Sequence, residues 1–140
     1  MIMALDVGSK RIGIAVSDPS ATFALPIATM DRTNRREDLA RLKELVDSYN
    51  VDELVVGDPL TLAGDRGIAA REMDSFVEKL RAVFKGTIHR VDERLTTAQA
   101  TKSLIAADVS RQKRRTIVDR MAAALILESF LARRANEPSA

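Results

Sequence analysis

The stretch that most constrains this chain is Leu5-Asp6-Val7-Gly8-Ser9-Lys10-Arg11-Ile12-Gly13-Ile14-Ala15-Val16. An apolar run delivers one acid, Asp6, to a glycine-bearing turn, and a second apolar run begins at once. Such a pair predicts a hairpin, with strands from Ile2 to Asp6 and from Arg11 to Ser17 and Gly8 as the turn residue. An unpaired carboxylate at the end of a buried strand is costly. Asp6 must therefore be met by amides of the turn, by a cation, or by both. We expect it to be a metal ligand at the end of the first strand.

The residues after the hairpin extend it into a sheet. Asp18-Pro19-Ser20 is a break, and Phe23 to Met30 is extended again, with Pro26 suited to an edge or a bulge. Asn34 with Glu37 forms a capping box, and Leu39, Leu42, Leu45, Val46 and Tyr49 follow at helical spacing, giving a helix over about 35–49. Leu54 to Gly57 is a short apolar strand, and Asp58 to Gly67 is a loop placed to meet substrate. Met73, Phe76, Val77, Leu80, Val83 and Phe84 mark a second helix, with Gly86 as its stop. Thr87 to Val91 is a fifth strand, short and central in character. A capping box at Thr96-Thr97-Ala98-Gln99 opens a short helix to about Ala106, Arg111 to Arg115 is a basic connector, and a last helix runs from about Thr116 to Arg134.

Three antiparallel strands followed by strand–helix–strand crossovers predict an α/β fold. Its five-stranded mixed sheet joins an antiparallel meander to parallel crossovers and is flanked by helices. The length, 140 residues, fits one domain over residues 1–135, with a disordered tail over 136–140.

Two further acidic positions share the awkwardness of Asp6. Asp92-Glu93 directly follows the fifth strand. Asp119 lies in the first turns of the last helix, on the stripe that continues through Ala122, Ala123, Ile126, Leu127 and Phe130. Acids at the ends of two adjacent strands and at the sheet-facing start of a helix can converge. Such a cluster is tolerable at neutral pH when cations bind it. Carboxylates without His or Cys point to Mg²⁺ or Mn²⁺. Two such ions ~3.5–4 Å apart can activate a water and stabilise the leaving oxygen in phosphodiester hydrolysis. The plainer alternatives are local: Asp6 capping its own turn, Asp119 favoured by the helix dipole, and Asp92-Glu93 paired with Arg90 or Arg94.

Composition narrows the partner. The net charge is only +2, but the pI of about 9.2 permits a local basic face. Arg111, Lys113, Arg114, Arg115 and Arg120 gather charge near Asp119, and Lys10 and Arg11 add to it from the first turn. A nucleic-acid backbone would be held there. Aromatic residues make up 4% of the chain, with no Trp, which argues against stacking platforms for single-stranded bases. The absence of Cys rules out disulfides and thiolate metal sites. The first twenty residues hold no secretory h-region, and no apolar run approaches the ~20 residues that span a bilayer. We therefore expect a cytoplasmic protein with no membrane partner, and read His89 as structural.

Leu5 to Asp18, then Asp92-Glu93-Arg94-Leu95-Thr96-Thr97, then Val118-Asp119-Arg120-Met121-Ala122-Ala123 with Leu125-Ile126-Leu127 resemble the YqgF/RuvX family. These proteins are described both as Holliday-junction resolvases and as pre-16S rRNA nucleases. The resemblance covers nearly the whole chain. It implies the RNase H-like fold and a divalent-metal nuclease acting on structured nucleic acid, either processing the 5′ end of 16S rRNA precursor or cleaving branched DNA junctions. It implies Asp6, Glu93 (or its neighbour Asp92) and Asp119 as the acidic cluster, with Arg94 among the backbone contacts. The chain departs from the family at Val56-Gly57-Asp58-Pro59-Leu60-Thr61, where Leu is usual at position 58. Asp58 is either a further metal ligand or a turn residue before Pro59.

Two other functions fit the same opening hairpin. Sugar kinases and actin-like ATPases also begin with an acid–glycine turn, but need two such domains around the nucleotide. A non-catalytic nucleic-acid-binding factor in transcription or ribosome assembly is the other. A junction resolvase would be a two-fold homodimer; an rRNA nuclease can act as a monomer.

Overall fold

A computed structural model describes residues 1–8, 10–58, 67–92 and 111–135. Its elements in order are β1 (Ile2–Val7), β2 (Arg11–Ser17), β3 (Ala24–Asp31), α1 (Arg35–Ser48), β4 (Glu53–Asp58), α2 (Ile68–Val83), β5 (Thr87–Asp92) and α3 (Arg111–Ala135). The expected helix from Thr96 to Ala106, most of the loop after Asp58, and the tail over 136–140 lie outside the described residues.

The strands form one sheet in the order β3-β2-β1-β4-β5. β1 pairs antiparallel with β2, and β2 with β3, which is the expected meander. β1, β4 and β5 run parallel, as crossovers through α1 and α2 require. Alternation along the strands splits the core in two. Met3, Leu5, Ile14, Leu54 and Val56 pack with Leu42 and Val46 of α1 and Phe76 and Leu80 of α2. Ile2, Ala4, Ala15, Val55 and Val91 pack on the other face with Ala123, Ile126 and Leu127 of α3. The result is a helix–sheet–helix sandwich with β1 at its centre.

Several local signals act as expected. Asn34 caps α1, its side chain accepting from the Glu37 N–H at 2.9 Å. The box is not reciprocal, because the Glu37 carboxylate instead accepts from the Thr33 hydroxyl at 2.6 Å. α1 ends in a Schellman arrangement: Val51 N–H returns to the Val46 carbonyl and Asn50 N–H to Asp47, with Asn50 at φ 52°. Pro26 sits on an edge strand opposite the register shift between Ile14 and Ala15, so it removes no ladder bond that a central strand would need.

Three expectations are corrected. β5 is an edge strand and not a central one, with Ile88, His89 and Arg90 only half-buried. Residues 111–115 are helical, so the basic segment is the start of α3 and not a connector. Gly86 is not a left-handed helix stop. α2 ends at Phe84 in extended conformation, and a Cβ on Gly86 would come within 2.2 Å of the Asp52 carbonyl and 2.6 Å of the Phe84 ring. Glycine is needed there because backbone and ring approach so closely.

Candidate active site

Asp6 is the penultimate residue of the central strand, and Val7 completes β1 before the turn. The turn is closed by Gly8 N–H to the Arg11 carbonyl at 2.8 Å, and a Cβ on Gly8 would lie 2.9 Å from that oxygen. Asp6 is in phase with Ile2 and Ala4, which places it on the α3 face, half-buried. Both cross-strand neighbours of Asp6 are glycines. It pairs with Gly13 on β2, and the β1–β4 register, carried one step past Leu5 and Val56, brings it level with Gly57. The row through the central strand therefore carries a carboxylate between two residues that have no side chain.

Two further acidic positions end strands on the same side of the sheet. Asp58 ends β4 and Asp92 ends β5, and the register pairs them. β4 lies between β1 and β5, so Asp6 and Asp92 do not end adjacent strands as the sequence suggested. At ~4.8 Å per strand they are roughly 10 Å apart along the sheet. Position 119 is in the third turn of α3, one turn before Ala122 and Ala123, which are fully buried against the sheet. Glu93 and Arg94 lie outside the described residues. Among the described residues no group of three or more His, Asp or Glu side chains is gathered closely enough to hold an ion.

Of the expected backbone contacts, Lys10 is exposed at the turn and Arg11 is half-buried at the start of β2. Arg111, Lys113, Arg114 and Arg115 all fall in the first turns of α3, whose first turn holds no acid. Cations at the positive end of a helix oppose its dipole, by ~0.3–1 kcal/mol each. That arrangement favours an anionic partner.

Two charged clusters were not anticipated from sequence. Asp38, 1% exposed, accepts from Arg32 Nε at 3.1 Å and from Thr33 N–H at 3.1 Å, beside Arg41 at 3.5 Å. At the opposite end of the sheet, Glu53 accepts from both terminal nitrogens of Arg134 at 2.6 and 2.9 Å, and its Oε1 lies 3.0 Å from His89 Nε2. Arg134, and then His89, hold the Glu53 carboxyl down at about 2 against the opposing cost of burial. The His89 ring also packs on Phe130, at 4.7 Å between centroids. A groove of about 450 Å³ between β3 and α1, lined by Ile14, Met30 and Leu45, opens on the face away from Asp6.

Comparison with known proteins decides the family. The family RuvX, described as Holliday junction resolvase, matches residues 1–133. The chain belongs to the RuvX family. Relatives named "Putative pre-16S rRNA nuclease" include one from Moorella thermoacetica, 46% identical over 94% of both chains. Another, from Desulforudis audaxviator, is 42% identical over 93% of this chain and 92% of its own. Among solved structures, RuvC of T. thermophilus in complex with a Holliday junction substrate aligns with a TM-score of 0.55 at 13% identity, over 96% of both chains. The Fowlpox virus Holliday junction resolvase aligns at 0.54 and 18%, over 94% of this chain and 98% of its own. These two likenesses show the fold, which is RNase H-like. As a RuvX member the chain is a nuclease, a hydrolase of phosphodiester bonds, and the kinase-like and non-catalytic alternatives are set aside. No helix among the described residues is long and apolar enough to cross a membrane.

Proposed function

We propose that this RuvX nuclease is divalent-metal-dependent, with Asp6, Glu93 and Asp119 as the residues that hold Mg²⁺ or Mn²⁺. The observation that carries the proposal is the setting of Asp6. It stands on the central strand, on the face covered by α3, between Gly13 and Gly57. Neither cross-strand neighbour places a Cβ beside this carboxylate, and a carboxylate near the end of a central strand is a donor that a hard cation can use. The donor set is oxygen only, which suits hard cations.

A divalent ion bound there would supply a Lewis acid for the phosphoryl oxygen and lower the pKa of an attacking water. The chain supplies the rest. Asp6, paired with Gly13 near the end of the central strand, is the anchor of the site. Asp119 of α3 and Glu93 after β5 would each complete the shell of an ion held there. Strand phase argues against Asp92, so we assign the role to Glu93. Position 92 is in phase with Arg90, which bonds Asp74 of α2 on the opposite face. By the same phase rule position 58 goes with Leu54 and Val56, so we assign Asp58 to the turn before Pro59. Lys10, Arg11 and Arg94, with Arg111, Lys113, Arg114 and Arg115 at the start of α3, hold the substrate backbone.

The substrate we infer is 16S rRNA precursor in the cytoplasm, supported by the names of relatives that are 42–46% identical over nearly their full lengths. Branched DNA is the second reading, favoured by the family description. Cleavage of labelled precursor RNA, four-way junction DNA and linear DNA, side by side with Mg²⁺, Mn²⁺ or chelator, tests both. Metal-dependent cutting of the RNA in preference to the junction is expected. Preference for the junction would overturn the rRNA assignment, and cutting at full rate in chelator would overturn the metal.

A further inference from the structure

Where β3 passes into α1, one arginine ties together the elements around the Asp6 turn. The Arg32 main-chain N–H donates to the Lys10 carbonyl at 2.9 Å, and its Nη1 donates to the Gly8 carbonyl at 2.9 Å. Its Nε donates to Oδ2 of the buried Asp38 at 3.1 Å. The guanidinium also lies over the Phe76 ring of α2, 5.4 Å from the centroid. Asp38 is itself fixed by the Thr33 N–H and flanked by Arg41.

A buried charge pair is an inefficient way to stabilise a fold, since apolar residues of similar volume often serve as well or better. Its position suggests another use. The carbonyl that Arg32 grips belongs to Gly8, two residues beyond Asp6, where β1 leaves the sheet and its ladder bonds end. Only Val7 separates Asp6 from Gly8, so the path of the backbone at Gly8 bears directly on how β1 leaves the sheet and on where the Asp6 carboxylate stands. We propose that Arg32 is a positioning residue for the nuclease reaction: anchored by Asp38, it holds the Gly8 carbonyl and thereby sets the placement of Asp6. The inference rests on the proposed catalytic role of Asp6.

Arg32→Lys isolates the effect, because an ammonium can pair with Asp38 but cannot also reach Gly8. On labelled 16S rRNA precursor and four-way junction DNA with Mn²⁺, kcat should fall ~10- to 100-fold with KM within about twofold, as for a small displacement of a reacting group. The Mn²⁺ concentration for half-maximal rate should rise. Arg41→Gln removes the other cation beside Asp38 without touching the turn, and should keep the wild-type kcat at temperatures where it is folded. Should Arg32→Lys fail to fold, the isosteric Asp38→Asn replaces it, with a smaller loss of kcat expected. Wild-type kcat in the folded Arg32→Lys or its replacement, or an equal loss in Arg41→Gln, overturns the positioning role. Asp6→Asn run in parallel separates the failures. If it cleaves like wild type, the site assignment falls and this proposal with it; if it is inactive while Arg32→Lys is fully active, only the positioning role falls.

Discussion

Asp58 and Asp92 are partners in the parallel register of β4 and β5, at the last position of each strand. Three neighbouring parallel strands, β1, β4 and β5, therefore each bring an acid to one edge of the sheet. The acids do not share a phase. Asp6 goes with the α3 face, and positions 58 and 92 go with the face that packs on α1 and α2.

That difference predicts unequal roles. Asp58→Asn and Asp92→Asn should each keep kcat within ~10-fold of wild type, against the loss of ~100-fold or more typical when a group acting on the reacting centre is removed. Relief of repulsion between directly paired acids should also raise metal-free stability by roughly 0.2–1 kcal/mol. Steady-state cleavage and thermal unfolding in chelator measure the two effects. Loss of cleavage in Asp58→Asn as deep as in Asp6→Asn would make Asp58 a ligand.

The start of α3 should reveal itself through salt. If Arg114 and Arg115 each contact a phosphate, replacing both with Gln lowers the slope of log affinity against log salt by ~1.4–1.8. Fluorescence anisotropy with labelled RNA between low and physiological salt reads that slope. An unchanged slope would leave the two arginines as solvated charge.

Acid should loosen the far end of the sheet. Arg134 and His89 hold the Glu53 pKa at about 2, below its unfolded value near 4.5. The stability this adds is complete above pH ~4.5 and is lost as pH falls through about 2. Glu53→Gln should cost roughly 1–2 kcal/mol at pH 7, a value discounted because Arg134 is 41% exposed. The cost should shrink as pH falls from ~4.5 toward 2, because Glu53 is protonated in the unfolded chain across that range while the folded protein gives up its charge only near 2. Urea unfolding at pH 7, 4 and 2.5 gives the comparison.

Much of the fold was legible because its signals are local. The Leu5–Val16 hairpin, the Asn34 cap, Pro26 on an edge and the apolar stripe of α3 each act over a few residues. Strand order was less legible. The short apolar run before Asp92 reads like a buried central strand, yet β5 is an edge strand, half-covered by Phe130 and by the Asp74–Arg90 pair. Placing β4 between β1 and β5 takes a crossover topology that periodicity does not encode. The charged clusters were hidden for the same reason. Glu53 and Arg134 are 81 residues apart in sequence. Asp38, an acid in the first turn of a helix, looks like ordinary dipole compensation until Arg32 folds back over it. Of the candidate site, the place of Asp6 near the end of β1 was readable; its glycine neighbours Gly13 and Gly57 needed the register.

The central claim is that Asp6 holds a divalent ion at the end of β1. The most direct measurement is Mn²⁺ binding by electron paramagnetic resonance, together with Mn²⁺-dependent cleavage, for wild type and Asp6→Asn under the same conditions. The folded variant should still bind RNA but lose high-affinity Mn²⁺ and at least ~100-fold of its cleavage rate. Wild-type Mn²⁺ affinity and cleavage in Asp6→Asn would contradict it.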